Sequence, residues 1–89
     1  MTWKINYTHT ATQQLKKLDK TVVKRIISYL DERVAIRDNP RTLGKALTGS
    51  LGTYWRFRVG NYRVICDIQD STLCILVVQL GNRKDIYRE

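Results

Sequence analysis

Apolar and polar positions repeat with two different periods in the first half of the chain. Residues 3–7 (WKINY) alternate and carry β-forming side chains, which predicts a short first strand. Thr10 and Gln13 fit a capping box, so we expect the first helix to open at Thr10. Helical spacing of apolar residues then predicts a second, longer helix from Asp19 onward. Pro40 ends it, because the residue before a proline disfavours helical backbone.

The second half of the chain reads as a loop followed by strands. Residues 41–53 contain three of the five glycines and predict a connecting loop. Strands are predicted at about 54–59, 62–69 and 73–80. The order β-α-α-β-β-β indicates an α+β fold, with both helices on one face of a small antiparallel sheet. The length of 89 residues favours a single domain spanning 1–89.

The first hairpin concentrates arginines on one side. A Gly-Asn pair at 60–61 suits a two-residue turn, which puts Arg58 opposite Arg63. Alternation then directs Arg56 and both of these arginines to one face of the sheet. Like charges in opposite positions destabilise a sheet, so the cluster favours an anion-binding site. The alternative is that the arginines splay into solvent or pair with Asp67 on the same face.

The second hairpin and the cysteines give no sign of a metal or a disulfide. A turn centred on residues 70–71 would pair Cys74 with Asp67 and put Cys66 on the opposite face. The spacing of the two cysteines matches no zinc site, and the only histidine, His9, is distant in sequence. We therefore expect two free thiols, no metal and no cofactor.

The charge balance favours a polyanionic partner. The chain carries a net charge of +8, and no acidic residue occurs between Asp38 and Asp67. Basic character for solubility alone is the alternative. The polar face of the second helix, which includes Arg25 and Arg33, is more typical of a solvated surface.

No apolar run is long enough to span a membrane, and the N-terminal MTWKINYTHT does not resemble a signal peptide. We therefore expect a cytoplasmic protein.

The C-terminal tail adds two candidate residues. Arg83 follows Gly81, and Tyr87 comes four residues later. If the tail returns along the arginine-bearing face, it brings a guanidinium and a phenol to the same groove. Tyr87 could equally be an aromatic residue that packs near the terminus.

The stretches GKALTGSLGTYWRFRVGNYRVICDI and LGNRKDIYR, which follow a strand and two helices, resemble the RelE branch of the RelE/ParE toxin superfamily. The GNYR turn and the G-x-R…Y ending are the most specific parts of a resemblance that covers nearly the whole chain. It implies a small basic toxin bound by a cognate acidic antitoxin in a hetero-oligomer. The RelE branch further implies an endoribonuclease that needs the 70S ribosome and cleaves A-site mRNA, whereas the ParE branch implies inhibition of DNA gyrase.

The resemblance also implies which side chains act on RNA. Two basic residues on the first hairpin strand, an arginine on the second, an arginine after the last strand and a tyrosine near the end correspond to Arg56, Arg58, Arg63, Arg83 and Tyr87. The hairpin arginines would bind phosphate and stabilise transition-state charge, the fourth arginine would stabilise the leaving group, and the tyrosine would act as base or stacking platform. Further RNA contacts are expected from Arg41, Lys45, Tyr54 and Lys84.

The sequence is also compatible with two other functions. A ParE-like gyrase inhibitor would have the same fold and no nuclease chemistry. A non-catalytic RNA-binding protein would use the same exposed arginines. Asn82 stands where many RelE relatives have histidine, so acid–base equipment is weak and a ribosome would have to supply the positioning of the substrate.

Overall fold

The computed structural model describes residues 2–47 and 53–82 of the chain. In chain order its regular elements are β1 (Lys4–Tyr7), α1 (His9–Lys16), α2 (Lys20–Tyr29), β2 (Lys45–Ala46), β3 (Trp55–Val59), β4 (Tyr62–Gln69) and β5 (Cys74–Asn82). A π-helical turn at Leu30–Val34 extends α2, and short 3₁₀ turns lie at Pro40–Leu43 and Asp70–Thr72. Within these residues, no helix has the length and apolar character needed to cross a membrane.

The strands form one mixed sheet in the order β1-β5-β4-β3-β2. The predicted α+β architecture, with two helices packed on the sheet, is confirmed. The sheet is not antiparallel throughout, because β1 runs parallel to β5, with Lys4 opposite Cys74. These two strands are far apart in sequence, so no tight turn forces them into opposite directions.

The hydrophobic core lies between the helices and one face of the sheet. Most side chains from β3, β4 and β5 on that face are buried, and they pack with the buried faces of α1 and α2 and of the π-helical turn. Members of this cluster include Ala11, Ile26, Leu30, Val34, Phe57, Val64, Cys66, Ile75 and Val77. Alternation along the strands therefore turns the intervening residues of β3 and β4 toward the opposite face.

The first helix begins two residues earlier than predicted. Thr8, in extended backbone conformation, is the N-cap, and its Oγ1 accepts a hydrogen bond from the Ala11 amide at 3.1 Å. The same hydroxyl donates to the Val78 carbonyl at 2.8 Å. Thr10 lies inside the first turn, so the prediction of a start there is wrong. Thr8 prevails because its hydroxyl caps the helix and joins it to β5.

The second helix begins where predicted and ends earlier. Asp19 is the N-cap of α2, and the π-helical turn closes with a hydrogen bond from the Ala35 amide to the Leu30 carbonyl at 2.8 Å. Residues 41–53, predicted as a loop, contain part of a 3₁₀ turn and the short strand β2, which pairs with β3. Residues 48–52 lie outside the described residues.

One hairpin register is confirmed and the other is wrong. β3 and β4 pair as predicted, with Arg58 opposite Arg63. In the β4–β5 hairpin, Cys74 pairs with Gln69 rather than with Asp67. The 3₁₀ turn and Leu73, whose φ is +50°, lengthen that connection and shift the register by two residues. A shift of two preserves the faces, so the cysteines stay on opposite sides of the sheet, and both are free and buried.

Candidate functional site

The sheet face turned away from the helices carries four cations. Cross-strand pairing puts Arg58 opposite Arg63 and Lys45 opposite Arg56. Because β2, β3 and β4 are neighbours in the sheet, all four side chains emerge from adjoining strands on one face. We refer to Lys45, Arg56, Arg58 and Arg63 as the cationic face. It contains the three arginines that the sequence predicted on one face, together with Lys45, which was predicted to lie in a loop.

The members of the cationic face differ in exposure. Arg58 and Lys45 are exposed and Arg56 is half-buried, whereas Arg63 is only 4% exposed. Arg63 sits on β4, which lies between β3 and β5, so neighbouring strands flank it on both sides. The exposed arginine is therefore available to a ligand, while the buried one is part of the packed sheet.

Two cavities flank Arg58 on this face. One, of about 100 Å³, is lined by Arg58, Arg63 and residues 60–62 of the turn. The other, of about 210 Å³, is lined by Leu43, Lys45, Arg56 and Arg58. Each cavity brings at least two cationic side chains together, and guanidinium groups bind phosphate oxygens through paired hydrogen bonds. The arrangement can hold oxyanions on either side of Arg58.

The turn that fixes this geometry depends on a glycine. Gly60 has a φ of +60°, while Asn61 does not have a positive φ. A positive φ at the first central position alone is the sign pattern of a type II′ turn, which matches the twist of a hairpin. The turn keeps β3 and β4 in the register that opposes Arg58 and Arg63.

Arg41 has a protein partner that the sequence did not reveal. Its Nη1 and Nη2 donate to the two carboxylate oxygens of Asp70 at 3.1 and 2.6 Å. The hydrogen bonds raise the pKa of Arg41 and lower the pKa of Asp70. The guanidinium also lies 5.9 Å from the ring centroid of Trp55. Nothing in the local sequence indicated this contact, since Arg41 and Asp70 are 29 residues apart.

The remaining predicted RNA-contact and tail residues fall in different places. Tyr54 is half-buried beside β2, and its carbonyl accepts a hydrogen bond from the Leu47 amide at 3.1 Å. Arg83, Lys84 and Tyr87 lie outside the described residues. The strand that leads toward them ends beside the cationic face, because Gly81 is the partner of Arg63 in the β4–β5 ladder.

Sequence reasoning missed two further arginines near the site. Arg25 and Arg33, predicted to belong to a solvated helix face, line a cavity of about 380 Å³ together with Arg58. Only the packing of α2 beside β3 brings these three side chains together, so no local motif could have indicated the cluster. Among the described residues, no group of three His, Cys, Asp or Glu side chains is arranged to hold a metal ion.

Comparison with known proteins gives the family. Residues 5–87 match the family described as "ParE toxin of type II toxin-antitoxin system, parDE". Toxin RelG from Mycobacterium tuberculosis is 26% identical over 88 residues, which cover 99% of each chain.

Two solved structures have a similar fold. The toxin–antitoxin complex RelBE2 of M. tuberculosis contains a chain with a TM-score of 0.85 and 22% identity, covering 96% of this chain and 95% of that chain. The isolated Escherichia coli RelE toxin has a TM-score of 0.70 and 18% identity, covering 96% and 90% of the two chains. The match to the family spans nearly the whole sequence. The chain therefore belongs to the RelE/ParE superfamily, the toxins of type II toxin–antitoxin systems.

Proposed function

We propose that this toxin is a ribosome-dependent endoribonuclease that cleaves mRNA in the A site without a metal ion and so inhibits translation. The observation that carries the proposal is the cationic face, with Arg58 and Arg63 directly opposite each other. Such a like-charge pair opposes folding, and local conflicts of this kind are typical of functional sites. Similarity to a protein named Toxin RelG agrees with the RelE branch.

The reaction is attack of a ribose 2′-OH on the adjacent phosphorus. A new P–O2′ bond forms and the P–O5′ bond breaks, leaving a cyclic phosphate and a free 5′-OH. Arg56 and Arg58 bind the phosphate oxygens and stabilise the extra negative charge of the phosphorane. Arg63, almost fully buried, contributes its charge from the floor of the site and helps to fix the hairpin.

The tail supplies the proton transfers in this proposal. Tyr87 takes the proton of the 2′-OH or stacks on a base, and Arg83 stabilises or protonates the departing 5′ oxygen. Support comes from the pairing of Gly81 with Arg63, because the chain leaves β5 next to the cationic face. The cluster of cations would lower the pKa of a phenol that approaches it.

Dependence on the ribosome follows from the weakness of these acid–base groups. Arginine is a very poor acid, and a phenol ordinarily titrates near pH 10. The only histidine, His9, is exposed at the first turn of α1. Positioning of the substrate and electrostatic stabilisation must therefore provide most of the rate, and mRNA held on a ribosome is already positioned.

We also propose a binding partner for the toxin and a cellular location. RelBE2 of M. tuberculosis is a toxin–antitoxin complex, and we propose that a cognate acidic antitoxin binds this +8 chain in a hetero-oligomer. The site of action is the cytoplasm, where ribosomes and mRNA are found. Lys45, Tyr54 and Lys84 are proposed as additional RNA contacts, and Arg41 would join them by exchanging Asp70 for a phosphate.

A second candidate function is ParE-like inhibition of DNA gyrase. The observation in its favour is that the matching family is named for the ParE toxin. Gyrase inhibition does not require convergent phosphate ligands, so it leaves the composition of the cationic face unexplained.

Toeprinting of translated mRNA, with Arg58→Ala as the key variant, tests the proposal. The wild type should cut mRNA in the A site of programmed ribosomes. Loss of one group that stabilises the transition state should slow cleavage by about 100-fold or more. Because Arg58 is exposed, the melting temperature should change little. Arg83→Ala and Tyr87→Phe should slow cleavage similarly.

Arg37→Ala is the matched control, since it removes the same charge from an exposed position away from the hairpin. It should cleave at the wild-type rate. Normal cleavage by Arg58→Ala would contradict the proposed site. Absence of A-site cuts by the wild type, together with inhibition of gyrase supercoiling, would establish the ParE-like function instead.

A further inference from the structure

The cavity of about 380 Å³ lies between α2 and the β3–β4 turn, away from the middle of the cationic face. Its lining comes from α2, from the π-helical turn that follows, and from the end of β3 with its turn. The lining residues are Arg25, Ser28, Tyr29, Glu32, Arg33, Arg58, Val59 and Gly60. We refer to this cavity as the helix–turn groove.

The helix–turn groove is positively charged. It contains three arginines and one carboxylate, and all four of these side chains are exposed. Within the described part of the chain, Glu32 forms no ion pair with Arg25 or Arg33. The positive charge of the groove is therefore not neutralised locally and faces solvent.

Two features of the backbone shape the groove. A Cβ built on Gly60 would lie 3.4 Å from Nη1 of Arg25, so this guanidinium reaches the hairpin turn. On the other side, the π-helical turn buries Leu30 and Val34 completely and leaves Glu32 and Arg33 exposed between them. Turns of the π type occur frequently at functional sites.

Arg58 connects the groove to the cationic face. It lines the helix–turn groove and also both cavities of the cationic face. A polyanion lying on Arg58 therefore has cationic pockets on both sides, toward Arg56 and toward Arg25.

We propose that the helix–turn groove binds a second phosphate of the same RNA strand whose scissile phosphate lies on the cationic face. The strand passes from one site to the other at Arg58, with Arg25 and Arg33 as the ligands of the second phosphate. The identity of this ligand as RNA rests on the proposed function. Ser28 and Tyr29 carry hydroxyl groups that can hydrogen-bond to phosphate or ribose oxygens.

The chemistry of the groove favours a phosphate chain over an acidic peptide. Its aliphatic lining residue, Val59, is only 6% exposed, so an apolar anchor would have only the half-buried ring of Tyr29 and the stems of the charged side chains to pack on. Exposed ion pairs with carboxylates contribute about 0–1 kcal/mol each, so a peptide would need apolar contacts here. Phosphate contacts by contrast release counterions from the nucleic acid and give bidentate pairs with arginine.

The test measures binding of the full chain to a fluorescently labelled single-stranded RNA with 2′-O-methyl groups throughout. This probe cannot be cleaved, so binding is measured independently of catalysis. The key variant, Arg25→Gln with Arg33→Gln, removes the two charges and keeps most of each side-chain stem. Lys20→Gln with Lys24→Gln is the matched control, because both lysines are exposed on α2 and neither lines the groove.

Loss of one phosphate contact should lower the slope of log Kd against log salt by about 0.7. The arginine variant should show this change and bind at least about tenfold more weakly than the lysine control. Glu32→Gln should act in the opposite direction and tighten binding by about two- to fivefold, since it removes a carboxylate that repels phosphate. Melting curves of every variant check that the fold is retained.

Equal weakening by the arginine and lysine variants would overturn the proposal, because only net charge would then matter. Weaker binding to poly-glutamate with unchanged RNA binding would overturn it in favour of an acidic protein ligand. If the arginine variant unfolds, unchanged RNA affinity in Glu32→Gln overturns the proposal by itself. Toeprinting separates the two hypotheses: A-site cuts without a groove effect contradict only the groove, and groove binding without A-site cuts contradicts only the nuclease.

Discussion

Arg58 and Arg63 oppose each other across one hairpin and yet have different physical roles. Arg58 is exposed and Arg63 is 4% exposed. The turn sequence predicted the pairing, because a two-residue turn fixes register locally. It could not predict burial, which depends on packing across the whole fold and not on the turn. An activity loss in an Arg63 variant would therefore combine lost packing with lost charge, whereas Arg58 reports on charge alone.

The hydroxyl of Tyr7 is a buried polar group that lowers the stability of the folded state. Its hydroxyl is buried and has no hydrogen-bond partner among the described residues. We predict that Tyr7→Phe raises the free energy of unfolding by about 1 kcal/mol near pH 7, because an unsatisfied buried hydroxyl is removed. Urea unfolding of both proteins measures the difference. A clear loss of stability in Tyr7→Phe would show that the hydroxyl is satisfied in solution.

The same residue gives a pH dependence with a definite sign. Burial, together with the negative charge of Asp31, raises the pKa of Tyr7 from its ordinary value near 10 to about 12. Between these values the unfolded chain loses the phenol proton and the folded chain keeps it, so wild-type stability falls as pH rises. Tyr7→Phe lacks this loss, and its advantage should widen by about 1 kcal/mol per pH unit between about pH 10 and about 12. A constant difference between the two proteins across that range would contradict the raised pKa.

At the scale of elements, the predicted boundaries and registers are right where they depend on local sequence. They are wrong where a contact with a residue distant in sequence determines them. Both Thr8 and Thr10 are chemically able to cap α1, and hydrogen bonds to carbonyls of β5, at Val77 and Val78, favour Thr8. The β4–β5 register likewise depends on the left-handed backbone of Leu73, a conformation that leucine rarely adopts. The π-helical turn after α2 had no sequence signature either.

The cap provides an element-scale prediction. Thr8→Ala should lower the free energy of unfolding by about 1–2 kcal/mol, because it removes the cap of α1 and the bond to β5. Thr10→Ala, exposed in the first turn, should change it by less than about 0.5 kcal/mol. Thr8→Ser should retain most of the stability, since it keeps the hydroxyl. Equal effects of the two alanine substitutions in chemical denaturation would show that the cap contributes little.

At the scale of the whole molecule, the net charge is predictable from the sequence, whereas the pairing of the strands is only partly so. The excess of cations and the α+β class could be inferred from composition and element order. The parallel pairing of β1 with β5 could not, because it joins segments separated by most of the chain. With β1 at one edge and β2 at the other, β4 is the middle strand of five, so Arg63 lies in the interior of the sheet. The burial that distinguishes Arg63 from Arg58 is thus a consequence of the fold as a whole.

The charge of the whole chain leads to a prediction about antitoxin binding. An acidic antitoxin approaching a +8 protein is steered by long-range attraction, which salt screens. Once the complex has formed, exposed ion pairs contribute little, so apolar contacts should hold it together. Raising the salt from low to high concentration should therefore slow association by about tenfold or more and change dissociation much less. Stopped-flow mixing and dissociation by dilution measure the two rates for the acidic antitoxin that we propose as the partner. Arg37→Ala, with one charge fewer at an exposed position, should shift the association rate only slightly. An association rate that does not depend on salt would rule out steering, and failure of that protein to bind would contradict the proposed partner.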